Sequence, residues 1–195
     1  MLMTHNIAIF ASGAGSNAKK IIEYFKGSDA INIAVIASNK PNAGVINIAR
    51  ENNIPTLIIE KEKFFRGDTY LPELNNDQIH YIVLAGFLWK VPAKLIAAFP
   101  DKIINIHPAL LPNYGGKGMY GHFVHEAVIA NKEKQSGITV HLVDEQYDHG
   151  KHLFQAVCNI SDDDTPASLA EKIHQLEHDH FAREIEKYIL ECATV

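Results

Sequence analysis

Short apolar runs alternate with segments of helical apolar spacing along the first half of the chain. The runs are nearly continuous in hydrophobicity, which is typical of strands that are buried on both faces. Strands are predicted at Ile7–Ala11, Ile31–Ala37, Thr56–Ile59, Tyr81–Leu84 and Ile103–Ile106. Helices are predicted between them at Asn17–Phe25, Gly44–Asn52 and Pro92–Phe99, the last with proline in its first turn.

The pattern changes after Pro112. A glycine-rich loop at 113–118 is followed by a helix predicted at Tyr120–Asn131. Two further strands, Gly137–Val143 and Leu153–Ile160, are separated by a polar segment, which favours an antiparallel addition to the sheet edge. One long amphipathic helix is then predicted from residue 166 to about residue 191.

These elements predict an α/β fold. We expect a Rossmann-like, doubly wound, mostly parallel sheet with an antiparallel C-terminal edge and a long C-terminal helix. The chain has 195 residues, with no repeat and no change in composition along it. A single domain covering 1–195 is therefore expected.

Composition and charge narrow the functional classes. Hydrophobic residues make up 47% and charged residues 21%, as in ordinary globular proteins, and the net charge of −5 argues against nucleic-acid binding. Two distant cysteines, Cys158 and Cys192, indicate neither a disulfide framework nor a zinc site. No secretion signal or membrane-spanning run is apparent. We expect a cytoplasmic monomer or homodimer without nucleic-acid or membrane partners.

Candidate chemistry lies at the end of the fifth predicted strand, in Asn105-Ile106-His107-Pro108. Ligands of open α/β sheets bind beyond the carboxyl ends of the strands. A carboxamide donor and an imidazole at that place are able to stabilise an oxyanion and to move a proton. A histidine bonded to the backbone at a strand end is the alternative interpretation of this tetrapeptide.

A glycine-rich loop, Gly13-Ala14-Gly15-Ser16-Asn17-Ala18, follows the first strand and opens the first helix. Backbone N–H groups and the helix N-terminus favour an anion there, and Ser16 or Asn17 would add donors or cap the helix. The loop also matches the dinucleotide fingerprint, which requires an acidic residue at the end of the second strand. That strand ends in Ser38-Asn39-Lys40-Pro41, so NAD is disfavoured. A phosphate-bearing substrate is favoured, while NADP bound through Lys40 and a purely structural turn stay open.

Three further motifs follow this loop in order. They are Leu84-Ala85-Gly86-Phe87, Asn105-Ile106-His107-Pro108-Ala109-Leu110-Leu111-Pro112 and Tyr147-Asp148-His149-Gly150. With them the chain resembles the formyltetrahydrofolate-dependent formyltransferases over nearly its whole length. The resemblance implies transfer of a formyl group from 10-formyltetrahydrofolate to the amine of glycinamide ribonucleotide in purine biosynthesis, without a metal. It implies a phosphate-binding half at about 1–100 and a folate-binding, catalytic half at about 101–195.

The resemblance implies the roles that follow, most of them at positions that match the family's motifs. His174 is included because it lies one helical turn before Glu177, and Arg66 is a candidate whose flanking pattern is one residue out of register. The catalytic residues are Asn105, His107 and Asp148, and the substrate phosphate is bound by Gly15, Ser16 and Asn17. The ribosyl-glycinamide residues are Gly86, Pro108, His174 and Glu177. The folate residues are Arg66, Leu88, Trp89, Lys90, Val91 and Asp144, together with Asn105 and Asp148.

The resemblance also sets an expectation for protonation. Asp148 is expected to hold His107 protonated, so that the imidazolium and the Asn105 amide both donate to an oxyanion. The chain departs from the family where His149-Gly150-Lys151 replaces the usual Gly-Gly-Pro. His141, in a predicted strand, is either a core histidine or a residue that supports the site.

Two alternatives remain at this point. One is an NADP-linked or other nucleotide-binding Rossmann module, and the other is a formyl-folate enzyme such as a deformylase-type hydrolase. That hydrolase usually carries an N-terminal regulatory domain, whereas this chain begins at its first strand. Histidine pairs at 122/125 and 174/178 have metal-like spacing but lack the H-E-x-x-H order, so no metal site is expected.

Overall fold

The structure, a computed structural model, describes residues 4–193. The chain divides into two compact units, the first ending at Ile104 and the second beginning at Asn105. This division lies near the boundary expected between the phosphate-binding and catalytic halves. The single domain remains a prediction.

The first unit contains a parallel sheet with helices between its strands. Its strands are β1 (His5–Phe10), β2 (Ile31–Ser38), β3 (Thr56–Ile58) and β4 (Ile79–Leu84), in the spatial order β3-β2-β1-β4. All three pairings are parallel. Its helices are α1 (Ser16–Phe25), α2 (Gly44–Glu51), α3 (Lys61–Arg66), α4 (Leu71–Asn76) and α5 (Ala93–Ala98).

The order of these strands places a switch in winding direction at β1. The chain moves from β1 outward to β2 and β3, and then returns to the other side of β1 as β4. In such sheets the crevice beyond the carboxyl ends of the two strands at the switch is the usual ligand site. The segments that follow β1 and β4 are therefore the first place to look for a ligand.

Local sequence explains α1 and β1. The residues of α1 that are buried, Ala18, Ile21, Ile22 and Phe25, recur at helical spacing on one face. All four residues from Ile7 to Phe10 are buried, as expected for a strand covered on both faces.

The unit boundary falls within β5 (Ile103–His107), whose last three residues belong to the second unit. The second unit continues with α6 (His122–Ala130), β6 (Gln135–Leu142), β7 (His152–Asn159) and α7 (Pro166–Ala193). β6 lies between β5 and β7, and its pairing with β7 is antiparallel. Leu169, Ile173, Phe181 and Ile185 are among the buried residues of α7. The predicted α/β class, with its antiparallel C-terminal edge and long C-terminal helix, is confirmed.

A steric constraint close to Asp148 explains why residue 150 is glycine. A Cβ there would collide with the carbonyl oxygen of Leu142, so this position accepts only glycine while the backbone keeps its path. The neighbouring His149 is exposed and has room for its side chain. The departure from Gly-Gly-Pro therefore keeps the one glycine that the turn after Asp148 requires.

Differences from the predicted elements are few. The two short helices α3 and α4 were not predicted, and Pro92 caps α5 instead of lying in its first turn. Across residues 4–193, no helix combines the length and the apolar character that crossing a membrane would need.

Candidate active site

The loop after β1 has the geometry of an anion site at a helix N-terminus. Gly15 is the N-cap residue of α1 and has a left-handed φ of 85°. A Cβ on Gly15 would meet Cβ of Val45 at 2.8 Å, so a side chain would be excluded there even without the unfavourable φ. Ser16 and Asn17 are the first two residues of α1 and neither is its N-cap residue. Ser16 is exposed and Asn17 is half-buried.

The segment after β4 lies beside this loop in the first unit. The Ser12 N–H donates to the Gly86 carbonyl at 3.0 Å, and the Leu88 N–H donates to Ser12 Oγ at 3.0 Å. Gly86 has φ of 78°, which favours glycine. The structure thus brings the predicted phosphate loop and Gly86 together at the switch between β1 and β4.

An aromatic cluster surrounds the predicted folate residues at 88–91. The Trp89 ring contacts Phe64, Phe65 and Phe87, with ring centroids 5.7–6.2 Å apart. Leu88 and Phe65 are 45% and 49% exposed, which leaves an apolar surface beside the tryptophan. The remaining predicted residues of this segment differ in exposure: Val91 is buried, and Lys90 and Arg66 are exposed.

In the second unit, Asn105 is oriented by a histidine from β6. The Asn105 Nδ2 atom is 3.0 Å from His141 Nε2, and His141 Nδ1 is 2.8 Å from the Leu142 carbonyl oxygen. A carbonyl oxygen only accepts, so the His141 proton is on Nδ1 and Nε2 accepts from Asn105. His141 is buried. It therefore fixes the direction of the Asn105 carboxamide.

His107 and Asp148 face each other in the same unit. His107 Nδ1 is 3.6 Å from Asp148 Oδ1, which is ion-pair range but too long for a hydrogen bond. His107 Nε2 is 2.7 Å from the Tyr114 carbonyl oxygen, so Nε2 carries a proton and donates it. The Gly116 N–H donates to Asp148 Oδ2 at 2.9 Å. Asp148 Oδ1 is also 3.7 Å from His141 Nε2.

The pKa values of both His107 and Asp148 are lowered. Burial lowers the pKa of His107 below its ordinary 6.5, and the nearby Asp148 carboxylate and Tyr114 carbonyl offset only part of this effect. Burial would raise the pKa of Asp148, but His141, His107 and the Gly116 N–H together hold it below 3.8. Near pH 7 the carboxylate is therefore charged and the imidazole is neutral. The expectation that Asp148 holds His107 protonated is wrong, because desolvation outweighs the attraction.

The glycine loop 115–116 is fitted closely against Asp148. A Cβ on Gly115 would meet Leu111 Cδ2 at 2.6 Å and Asp148 Cβ at 3.2 Å. Only a residue without a side chain lets the Gly116 N–H approach the carboxylate along this path. Asp148 itself has a left-handed φ of 53°, which is uncommon for a residue other than glycine and often marks a functional turn.

The other predicted residues of this unit have different surroundings. Asp144 is bonded to His149 Nδ1 at 2.9 Å and accepts the Gln146 N–H at 2.8 Å, and these bonds lower its pKa against the effect of burial. On α7, Glu177 is buried whereas His174 is exposed, and the His174 ring stacks on that of His178.

Pro108 is half-buried directly after His107. Within residues 4–193, no set of three or more His, Cys, Asp or Glu side chains is arranged to hold a metal ion.

Comparison with known proteins shows the family to which this chain belongs. A family model described as formyl transferase matches residues 5–185. The chain belongs to the formyl transferase family. The Asn105, His107 and Asp148 group thus lies in the second unit of a formyl transferase domain.

Individual relatives agree with this membership. The chain is 40% identical over 178 residues to an Arabidopsis thaliana protein named phosphoribosylglycinamide formyltransferase, chloroplastic, covering 88% of this chain and 61% of the relative. It is 34% identical over 176 residues to the Bacillus subtilis phosphoribosylglycinamide formyltransferase, covering 88% of both. The plant relatives are longer: the chain spans 61% and 59% of the two that it matches at 40% identity.

A solved structure supports the fold over the same range. The structure of glycinamide ribonucleotide transformylase 1 from Geobacillus kaustophilus matches with a TM-score of 0.88 and 31% identity. The match covers 96% of this chain and 100% of that one. This formyl transferase therefore has the fold of a protein named glycinamide ribonucleotide transformylase 1.

Two residues that hold the predicted catalytic group of this formyl transferase were not assigned to it from sequence. His141 orients Asn105, and Tyr114 binds His107 through its main-chain carbonyl. His141 gave a signal, since a histidine in an apolar strand needs a polar partner. Tyr114 gave none, because any residue carries a carbonyl group.

Proposed function

We propose that this chain transfers a formyl group from 10-formyltetrahydrofolate to the amine of glycinamide ribonucleotide. The observation that carries the proposal is the meeting of three groups in one unit: the Asn105 carboxamide, the His107 imidazole and the Asp148 carboxylate. Such a set supplies an oxyanion donor, a proton acceptor and a charge that stabilises the protonated acceptor. The names of the Arabidopsis and Bacillus relatives support this choice of substrate.

Asn105 is the proposed oxyanion donor. Bound 10-formyltetrahydrofolate supplies the formyl carbon, which the glycinamide amine attacks to form the new C–N bond. Of the two N–H groups on Asn105 Nδ2, His141 accepts one and the other remains to donate to the developing negative charge. Because His141 fixes the amide in advance, the donor needs little reorganisation during the reaction.

His107 is the proposed proton acceptor. Its Nε2 atom already donates to Tyr114, and its Nδ1 atom is unprotonated in the neutral ring. Nδ1 takes the proton that the amine loses on attack, and the resulting imidazolium faces the Asp148 carboxylate 3.6 Å away. The same proton is then returned to the folate nitrogen as its bond to the formyl carbon breaks. A neutral resting imidazole suits this role better than the protonated donor expected from sequence.

The aromatic cluster of the first unit fits the folate. Trp89, Phe65 and Leu88 present flat and apolar surface of the kind that heteroaromatic rings pack on. Arg66, the proposed partner of a folate carboxylate, is exposed at the end of α3, directly after Phe65. We assign Lys90, Val91 and Asp144 to the same ligand on the family's pattern.

Ribosyl-glycinamide contacts are assigned to Gly86, Pro108, His174 and Glu177. Of these, Gly86 lies beside the phosphate loop, and Glu177 presents a buried carboxylate on α7.

Loss of the Ser16 hydroxyl is expected to weaken substrate binding without slowing the chemical step. Ser16→Ala removes one donor to the proposed phosphate, and we expect a rise of about tenfold in KM for glycinamide ribonucleotide. The constant kcat is expected to stay within about twofold, because the phosphate is remote from the formyl group. Steady-state kinetics with each substrate varied in turn measures both values. Ser161→Ala, an exposed serine in the second unit, is the control, and an unchanged KM in Ser16→Ala would refute the assignment.

The activity itself is tested by mixing purified protein with 10-formyltetrahydrofolate and glycinamide ribonucleotide while the folate absorbance is followed. Turnover that requires the amine supports the proposal. Formate release without the amine would indicate a hydrolase instead. Calorimetric binding of NADP(H), with none of a folate analogue, would favour the nucleotide-binding alternative.

Partners and location follow from the proposed reaction. We propose that the chain works on these two small molecules in the cytoplasm, as a monomer or homodimer. Two plant relatives are named chloroplastic.

A further inference from the structure

Tyr114, in the glycine-rich loop at 113–118, connects His107 to residues that follow α6. Its main-chain oxygen accepts the His107 Nε2–H at 2.7 Å. Its hydroxyl donates to Glu133 Oε1 at 2.7 Å and accepts from Asn131 Nδ2 at 2.9 Å. The backbone of Tyr114 thus binds the imidazole, and its side chain binds Glu133 and Asn131, which we call the anchor.

The backbone at Tyr114 needs such an anchor. Its φ of 57° is in the left-handed region, which is unfavourable for a residue with a Cβ. Gly115 and Gly116 follow at once, and glycine does little to restrain a chain. The bonds of the phenol therefore restrain the Tyr114 side chain of this segment, in addition to the Gly116 N–H bond to Asp148.

The backbone of Asn131 and Glu133 is hydrogen-bonded to the end of α6, while their side chains are exposed. Asn131 is the C-cap residue of α6, and its N–H and that of Glu133 bond to the carbonyls of Ala127 and Val128. Burial and the Glu133 carboxylate raise the pKa of Tyr114 above 10, against the effect of Asn131. The phenol therefore stays protonated and remains a donor to Glu133 at all pH values used for assay.

The carbonyl of Tyr114 determines which nitrogen of His107 is protonated. A neutral imidazole carries one proton, and a bond from Nε2 to a carbonyl keeps that proton on Nε2. Nδ1 is then free as an acceptor on the side of Asp148. Without the carbonyl, the Asp148 carboxylate would draw the proton to Nδ1, the nitrogen that must be empty to act as a base.

We propose that Tyr114 is a positioning residue that holds His107 in its Nε2–H tautomer, and that the anchor to Glu133 and Asn131 keeps its carbonyl in place. The consequence for catalysis rests on the proposed formyl transfer. The effect on the tautomer of His107 does not, and it is measurable without any substrate.

The test begins with Tyr114→Phe, which removes the hydroxyl and keeps the ring and the carbonyl. The hydroxyl lies at an open groove of about 400 Å³, so its removal leaves no buried cavity. Long-range ¹H–¹⁵N spectra of the histidine rings report the tautomer. We expect His107 to change from the Nε2–H form to a mixture of tautomers. We also expect kcat to fall roughly tenfold, the effect of losing about one hydrogen bond, with KM for both substrates within about twofold of native.

Matched variants separate positioning from general destabilisation. Glu133→Gln keeps an acceptor for the phenol and is expected to retain both the native tautomer and the native kcat, whereas Glu133→Ala is expected to reproduce Tyr114→Phe. Tyr24→Phe, which removes an exposed hydroxyl near the end of α1, is expected to behave as native. Glu133→Ala also tests the anchor if Tyr114→Phe fails to fold.

The outcomes are distinguishable. An unchanged Nε2–H tautomer in both Tyr114→Phe and Glu133→Ala would overturn the proposal, even if activity fell. A changed tautomer with no formyl transfer by the native protein would sustain the positioning role and refute the proposed function. A changed tautomer with unaltered kcat would overturn the catalytic part of the inference.

Discussion

Asp148→Asn is expected to lower kcat by about two to three orders of magnitude while KM for glycinamide ribonucleotide changes little, because the loss falls on the transition state. The carboxylate is charged near neutral pH and lies 3.6 Å from His107 Nδ1. An amide there removes the charge that stabilises the imidazolium formed when Nδ1 accepts the amine proton. It also changes the acceptor of the Gly116 N–H from a carboxylate to a weaker amide oxygen.

The measurement is steady-state kinetics of purified Asp148→Asn beside Asp162→Asn. The side chain of Asp162 is 90% exposed in the same unit, so its neutralisation controls for a general change in charge. Asp162→Asn is expected to retain native kcat. Turnover of Asp148→Asn within about threefold of native would show that the carboxylate does not take part in the rate-determining step.

The second large effect is a loss of stability on mild acidification. His125 is only 4% exposed, its Nδ1 has no hydrogen-bond partner, and burial together with His174, His122 and His107 lowers its pKa to about 4. The unfolded chain binds a proton there near the ordinary histidine pKa of 6.5, whereas the folded chain does not. Stability from this group is therefore present above that value and is lost as the pH falls towards 4. About 2 kcal/mol of unfolding free energy is expected to be lost between pH 7 and 5.

Urea unfolding at pH 7 and pH 5 tests this expectation. The lowered pKa values of His80 and His107 act in the same direction, so the native protein should lose more than His125 alone accounts for. His125→Phe is expected to lose about 2 kcal/mol less than the native protein over this interval. His152→Gln, an exposed histidine on β7, is the control and is expected to keep the native dependence. An equal pH dependence in the native protein and His125→Phe would contradict the assignment.

Helices and strands could be predicted from the sequence where the spacing of apolar residues was clear. β1 and β2 are continuous apolar runs, and α1 repeats apolar residues at helical spacing over ten positions. The helices α3 and α4 have six residues each, which is too short for an apolar period to emerge, and neither has a side chain that caps it. Their existence depends on packing of residues such as Phe64 and Leu74, which is a property of the tertiary structure.

The candidate site divides in the same way. The side-chain chemistry of Asn105 and His107 at a strand end indicated them directly, whereas Asp148 was added by the resemblance to the formyltransferases. The direction of the Asn105 amide and the tautomer of His107 depend on single hydrogen bonds to His141 and Tyr114, which only coordinates reveal. The protonation of His107 was predicted wrongly, since a neighbouring carboxylate is evident from the motif whereas the degree of burial is not.

The aromatic cluster around Trp89 has a practical consequence. Trp89 is the one tryptophan of the chain, and it lies in the first unit among phenylalanine rings. Intrinsic fluorescence excited at the red edge will therefore report the packing of this aromatic cluster. Circular dichroism responds to the helices of both units, so the two probes recorded together would tell whether acid loosens the second unit first.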